Sequence, residues 1–264
     1  VMLFDEKTGA ADMQGWVTLT NNTGTTYTNA RTLLVAGNVG GGQNRFQALG
    51  GRLDQAGTES GTRERLGDYY LYPLAERTTI ANAQQKQVSF LDVQGAPARK
   101  TYEFVNGWLG SNDTPRSALS VIKFSTSKQG GLGDQLPAGT IRVYMRDARG
   151  DPQFIGESRI DHTPMGSSLA VPTGDAFDVK VKTVVEERKR LSDRRWQTVM
   201  RYTLTNARPE PVTVDVLQGG LWGDVRIPVQ SVPGNRVSAD RMEWKVPVPA
   251  NGTAELTATF DTRY

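Results

Sequence analysis

Apolar residues in this chain recur at every second position over short runs, as in Val212, Val214 and Val216 or in Trp196, Met200, Tyr202 and Leu204. A period of two is that of a half-buried β-strand and does not lie along one stripe of a helix. One such run returns: Thr18-Leu19-Thr20-Asn21 is echoed by Thr203-Leu204-Thr205-Asn206, each followed by a polar turn and another strand-like run. A second echo keeps the same order. Thr79-Ile80-Ala81-Asn82-Ala83 leads into Gln87-Val88-Ser89-Phe90, and Val248-Pro249-Ala250-Asn251-Gly252 leads into Leu256-Thr257-Ala258-Thr259-Phe260. Ordered self-similarity is the mark of a repeated supersecondary unit. The expected fold is all-β, with two or more β-sandwich units of immunoglobulin-like kind.

The expected division is an N-terminal unit over 1–175 and a C-terminal sandwich over 176–264. The first carries a long loop over 38–67, rich in Gly, Gln and charge, with room for one short helix, and a middle set of hairpins. Residues 106–115 hold Gly107, Gly110, Asn112, Asp113 and Pro115 and read as a second connector. Strands are expected over 121–124, 141–146 and 153–160, the last two joined by the turn Ala148-Arg149-Gly150-Asp151. Residues 177–189 and 196–205 read as a long hairpin, with Phe177, Val179, Val181 and Val185 sharing a face; a helix over 184–190 is the competing assignment.

Composition narrows the chemistry. The 31 lysines and arginines face 28 aspartates and glutamates, a net charge of +3 that gives little support to nucleic-acid binding. No cysteine is present, which removes disulfides, thiolate catalysis and Cys-ligated metals. No apolar run approaches the roughly 18 residues of a membrane-spanning helix, and no signal-peptide pattern opens the chain. The first residue is Val1 and not Met, which leads us to expect that upstream residues have been removed.

The sole histidine, His162, follows Asp161 at the end of an expected strand. A multi-histidine zinc site within one chain is therefore excluded, and no Gly-x-Ser-x-Gly elbow supplies a nucleophile for a triad. The glycines at 40–42 and 130–133 lack the Lys-Ser/Thr or the helix signal of phosphate-binding loops. Glu103, Glu157, Asp161 and Glu243 leave acid/base pairs open, and Asp147 with Asp151 is the one close pair suited to calcium. Trp16, Trp196 and Trp244 read as core anchors. Trp108 and Trp222 sit among glycines, where an indole can be offered to a sugar or a partner or can cap one end of a sandwich. The candidate ligand-binding residues are Trp108, Trp222, Asp161 and His162, with no catalytic residue, no metal and no cofactor assigned.

The segments Asp12-Met13-Gln14-Gly15-Trp16-Val17-Thr18-Leu19-Thr20-Asn21, Leu136-Pro137-Ala138-Gly139-Thr140-Ile141-Arg142-Val143-Tyr144 and Ile160-Asp161-His162-Thr163-Pro164 resemble a bacterial domain of unknown function. It forms the C-terminal part of mucoidy-inhibitor-A-like proteins. The resemblance implies a periplasmic or secreted, β-rich cell-envelope protein and supplies no catalytic residues. The role expected from sequence is a non-catalytic envelope scaffold or interaction protein, with a carbohydrate-binding or glycoside-acting protein as the alternative. The expected partner is an envelope protein or glycan, and self-association is left open.

Overall fold

A computed structural model describes residues 1–36, 52–55, 65–66, 69–74 and 76–263. The protein is all-β: no helix forms among the described residues, and so none is long and apolar enough to cross a membrane. Two compact units form, one from Val1–Lys100 with Ile122–Thr173, the other from Thr101–Val121 with Gly174–Tyr264. The sequence grouped residues 101–121 with the N-terminal half. The structure places them in unit 2, because Tyr102, Phe104, Leu109 and Ala118 bury their side chains in that unit's core.

Unit 1 comprises β1 (Met2–Asp5), β2 (Ala10–Asn21), β3 (Tyr27–Ala30), β4 (Leu33–Ala36), β5 (Arg52–Gln55), β6 (Arg65–Leu66), β7 (Tyr69–Pro73), β8 (Thr78–Ile80), the first part of β9 (Gln84–Asn106), the second part of β10 (Asn112–Ser125), β11 (Gly139–Arg146), β12 (Pro152–Ile160) and the start of β13 (Ser168–Ser192). The expected 38–67 loop is thus interrupted by two strands: β5 pairs with Ser168–Ala170 of β13, and β6 pairs with β7. The remainder of that tract lies outside the described residues. β12, β11, β1, β2 and β9 are neighbours in that order, with β1 parallel to β11 and antiparallel to β2. Met2, Phe4, Met13, Leu91, Ile141 and Val143 of these strands, with Ile122 of β10, are among the side chains of the unit's core.

Unit 2 takes the remaining parts of β9, β10 and β13, then β14 (Arg195–Asn206), β15 (Val212–Gln218), β16 (Asp224–Gln230), β17 (Gly234–Ser238), β18 (Arg241–Val248) and β19 (Gly252–Arg263). β13, β14, β19 and β16 form one antiparallel run; β15 pairs parallel to β9 and antiparallel to β18, which pairs with β17. One core receives the alternate residues of both sets: Val179, Val181, Met200, Tyr202, Leu204, Leu256 and Phe260 from the first, Phe104, Val214, Val216, Trp244 and Val246 from the second. Trp244 is fully buried and meets Phe260 edge to face at 6.1 Å between ring centres.

Alternation decides two side chains that the sequence placed wrongly. Trp16 follows Met13 by an odd number of residues, so it shares the outward face with Asp12 and Gln14 and is 46% exposed. In β13 Ala176 and Val179 are both buried while Phe177 and Asp178 between them are exposed, so one extra residue breaks the alternation and turns Phe177 out of the core. Trp196 is half-buried. Residues 184–190 are strand, with a register shift between Val185 and Glu187.

The echoed sequences build the same device in each unit. Asn21 is buried; its amide NH₂ donates to the carbonyls of Thr25, Ile80 and Ala81, and its side-chain oxygen accepts from the Thr23 N–H. Asn206 is buried likewise, donating to Glu210 O and Pro249 O and accepting from Arg208 N–H. The strand registers agree as well: Asn21 faces Gln84 and Asn206 faces Gly252, while Tyr27 faces Ile80 and Val212 faces Val248. The tight turn before each returning strand holds a residue in the left-handed region, Ala83 at φ 57° and Asn251 at φ 47°.

Replacing Asn206 with Ala removes three part-buried hydrogen bonds, to Glu210 O and Pro249 O and from the Arg208 N–H, each worth about 0.5–1.5 kcal/mol. Urea unfolding should show a loss of about 2–4 kcal/mol for Asn206→Ala. Wild-type stability in this variant would show that the side-chain bonds are incidental.

Candidate functional site

β9 and β15 run parallel and in register up to the pair Asn106↔Gln218, so both strands end side by side. The loops that follow them, residues 107–111 and 219–223, therefore leave from the same end of unit 2. Each loop contains one leucine and one tryptophan in adjacent positions. Leu109 and Leu221 are buried in the core, and their neighbours Trp108 and Trp222 are 64% and 67% exposed. Loop residues that alternate between plug and display hold the indoles out while fixing the backbone beneath them.

A buried amide network joins the two loops. Asn106 Nδ2 donates to Trp108 O and to Gln218 Oε1, both at 2.8 Å. Gln218 Nε2 donates to Gly219 O at 2.7 Å, and the Gly219 N–H donates to Asn106 O at 2.7 Å. The Tyr202 hydroxyl also donates to Gln218 Oε1. Burial pushes that phenol well above its ordinary range, so it remains a donor. Between the loops the backbones touch: a Cβ on Gly220, at φ +70°, would stand 2.4 Å from Gly107 O. A Cβ on Gly110 would meet the Trp108 ring at 2.7 Å, so that indole lies across the glycine.

Asp161 and His162 fall in unit 1 and both are exposed, while Trp108 and Trp222 belong to unit 2. His162 Nδ1 accepts from the Ala138 N–H at 3.1 Å, which places the ring hydrogen on Nε2. This bond sits beside the paired backbones of Leu136 and Thr163 and holds the turn ahead of β11. The Asp161 carbonyl accepts from the Thr163 hydroxyl. Both residues therefore serve the local backbone as well as lying at the surface.

The carboxylates raised by the sequence divide between the units, Glu157 and Asp161 in unit 1 and Glu103 and Glu243 in unit 2, where Glu103 stands opposite Asp215 in the parallel pair. Glu157 pairs with Arg142 at 3.1 Å in unit 1; in unit 2 Glu103 is buried, and Glu243 shares Lys245 with buried Asp215. Asp147 Oδ1 accepts from the N–H groups of Arg149 and Asp151, and Oδ2 from Gln153. Those bonds, the Asp151 one foremost, hold its carboxyl below the usual range and make it the organiser of the β11–β12 turn. Among the described residues no three His, Cys, Asp or Glu side chains group as metal ligands would.

Sequence inspection found the two glycine-flanked tryptophans but not their proximity, because a parallel pair joins strands more than 100 residues apart in the chain. Gly220→Ala should force the loops apart, costing about 1–3 kcal/mol and speeding amide exchange across 107–110. Exchange rates equal to wild type would show that the loops do not depend on this contact. The Asp147 carboxylate stabilises its turn above the unfolded carboxylate pKa, and that contribution is lost as pH falls through its lowered folded pKa. Amide exchange at Arg149 and Asp151 should accelerate in that acid window and not above it.

No family model matches the chain, and no curated protein matches it.

Proposed function

We propose that the protein is a non-catalytic interaction module of the bacterial cell envelope, and that unit 2 meets its partner through Trp108 and Trp222. The observation that carries this reading is two largely exposed indoles on loops locked together at one end of one unit. A single exposed apolar side chain is ordinary in a folded protein. Two of the largest, mounted on a rigid buried network, leave roughly 100 Å² each in water, about 2–3 kcal/mol per ring that a partner can recover. Rigid mounting also lowers the ordering cost of association.

We read unit 2 as a β-sandwich of immunoglobulin-like kind, since two sets of strands feed alternate residues to one core, and unit 1 as its relative, since the Asn21 and Asn206 devices share register and bonds. Loops at the end of such a framework are common binding elements. Placement in the periplasm or outside the cell, and kinship with mucoidy-inhibitor-A-like proteins, rest on the sequence resemblance. A second reading has the same support: indole faces stack on sugar rings, which would make the ligand an envelope glycan.

The test pairs envelope protein pull-downs with a glycan array, using the wild-type chain, Trp108→Ala, Trp222→Ala and the double variant. Each single change should weaken capture at least tenfold and the double should abolish it, with melting temperature shifted by no more than about 2 °C because the rings are exposed. Capture by protein fractions supports the first reading and capture by glycans the second. Binding that survives the double variant would rule out this surface.

A further inference from the structure

β9 and β15 stop at Asn106 and Gln218, but the β13–β14 hairpin runs on past them to a tip at Ser192–Arg195. Arg188 marks where the loop of Trp108 crosses it: Nη2 donates to Leu109 O, and Nε donates to the Thr198 hydroxyl at 3.3 Å. On the same strand the Val185 N–H donates to Ser111 Oγ at 2.8 Å. Beyond that crossing one more row of side chains spans the strands: Arg190 stands opposite Trp196, Trp196 opposite Thr262, and Thr262 opposite Val225. The row lies on the core-facing side, because Met200 and Phe260, an even number of residues from Trp196 and Thr262, are core residues. Thr262 and Val225 are buried, Trp196 is half-buried and Arg190 is exposed.

Both tryptophan loops border this row. The loop of Trp108 is fastened to Arg188, one row below, and the loop of Trp222 leads into Val225. Gly223 in that loop is so close to β19 that a Cβ there would stand 2.6 Å from Arg263 O. Trp196, which residue type alone would assign to the core, is therefore a third indole at the same end of unit 2. The Arg190 guanidinium lies over its ring, 5.9 Å from the centre, as a cation over a π face. Arg190 Nη2 donates to Asp193 at 2.8 Å and Nε to Ser192 O at 3.3 Å. A guanidinium has five N–H donors, so three remain for a ligand.

We infer that this row extends the tryptophan surface and that its ligand is an acidic polysaccharide, with sugar rings stacked on the indoles and a carboxylate held by Arg190. The inference rests on the reading of Trp108 and Trp222 given above. The arrangement of the rings favours a saccharide over a protein. Each indole has its own backbone support, Trp108 across Gly110 and Trp196 on β14, and Leu109, Leu221 and Val225 are buried beneath. The rings thus stand as separate flat faces, not as the continuous apolar patch that a protein partner's anchor fills. A sugar offers its C–H face to each ring in turn. The charge comes from the hairpin: of the eight residues 188–195, five are Arg or Lys and one is acidic. A planar fork takes a carboxylate by two bonds at once, and stacking on Trp196 with the bond to Asp193 fixes its orientation in advance.

The probes are hexasaccharides of galacturonate, of mannuronate and of hyaluronan, each beside its methyl ester, which keeps the ring and loses the charge. They are added to the full chain while the indole N–H signals are followed by NMR. At least one acid form should bind saturably and shift the signals of Trp108, Trp196 and Trp222, with its ester at least tenfold weaker. Arg190→Gln should weaken the acid form at least tenfold and leave the ester unchanged, with the melting temperature within about 2 °C of wild type because the side chain is exposed. No saturable binding by any acid form at millimolar concentration overturns the inference, as does equal binding of acid and ester. Binding that Trp108→Ala weakens and Arg190→Gln does not also overturns it, and leaves the tryptophan reading standing. Binding that survives Trp108→Ala combined with Trp222→Ala overturns both. Capture of a protein through the same tryptophans, with no saccharide bound, overturns the acidic polysaccharide alone.

Discussion

A single buried carboxamide in each unit sets the frame from which the remaining strands are measured. Asn21 and Asn206 each satisfy the backbone where the chain leaves one strand, turns, and meets the carbonyls of a hairpin formed much later in the sequence. The two asparagine side chains are themselves buried, and each amide supplies what an unbroken ladder would have supplied. The bond geometry admits one register, Asn21 opposite Gln84 and Asn206 opposite Gly252. Once register is set, alternation assigns every second side chain of β14 and β19 to the core.

Parallel pairing governs the surfaces that can bind. Most pairs in the protein are antiparallel, and such neighbours end at opposite termini. Where β15 lies parallel to β9, two strand ends and two loops emerge together, and the buried Asn106–Gln218–Tyr202 network fastens them. Where β1 lies parallel to β11, it sits between β11 and β2 and joins residues 2–4 to a strand formed more than 100 residues later. Both arrangements join segments far apart in sequence, as parallel strands must.

Much of the local architecture was readable from residues alone. The turn Ala148-Arg149-Gly150-Asp151, the hairpin around 191–194 and the echoed Asn motifs are written in turn-forming residues and strict alternation. Alternation also contained the exposure of Trp16, since Ala11 and Met13 face inward and parity carries Trp16 outward. The expectation of a core anchor came from residue type, which is a weaker guide than position in a pleated strand. Phe177 shows the reverse: its run alternates in sequence, and only the irregular strand at 176–179 turns it to solvent.

Sequence by itself determined that the chain is all-β, that it carries a repeated strand-turn device, and that cysteine or multi-histidine chemistry is closed to it. These follow from residue type and spacing, which act through local backbone preference and side-chain inventory. Only the tertiary structure decided that residues 101–121 join the C-terminal strands and that Trp108 and Trp222 share one end. Those outcomes depend on which distant strands pair and in which direction. Hydrogen-bond ladders do not encode that choice residue by residue; it is made by the cores that each pairing allows to close.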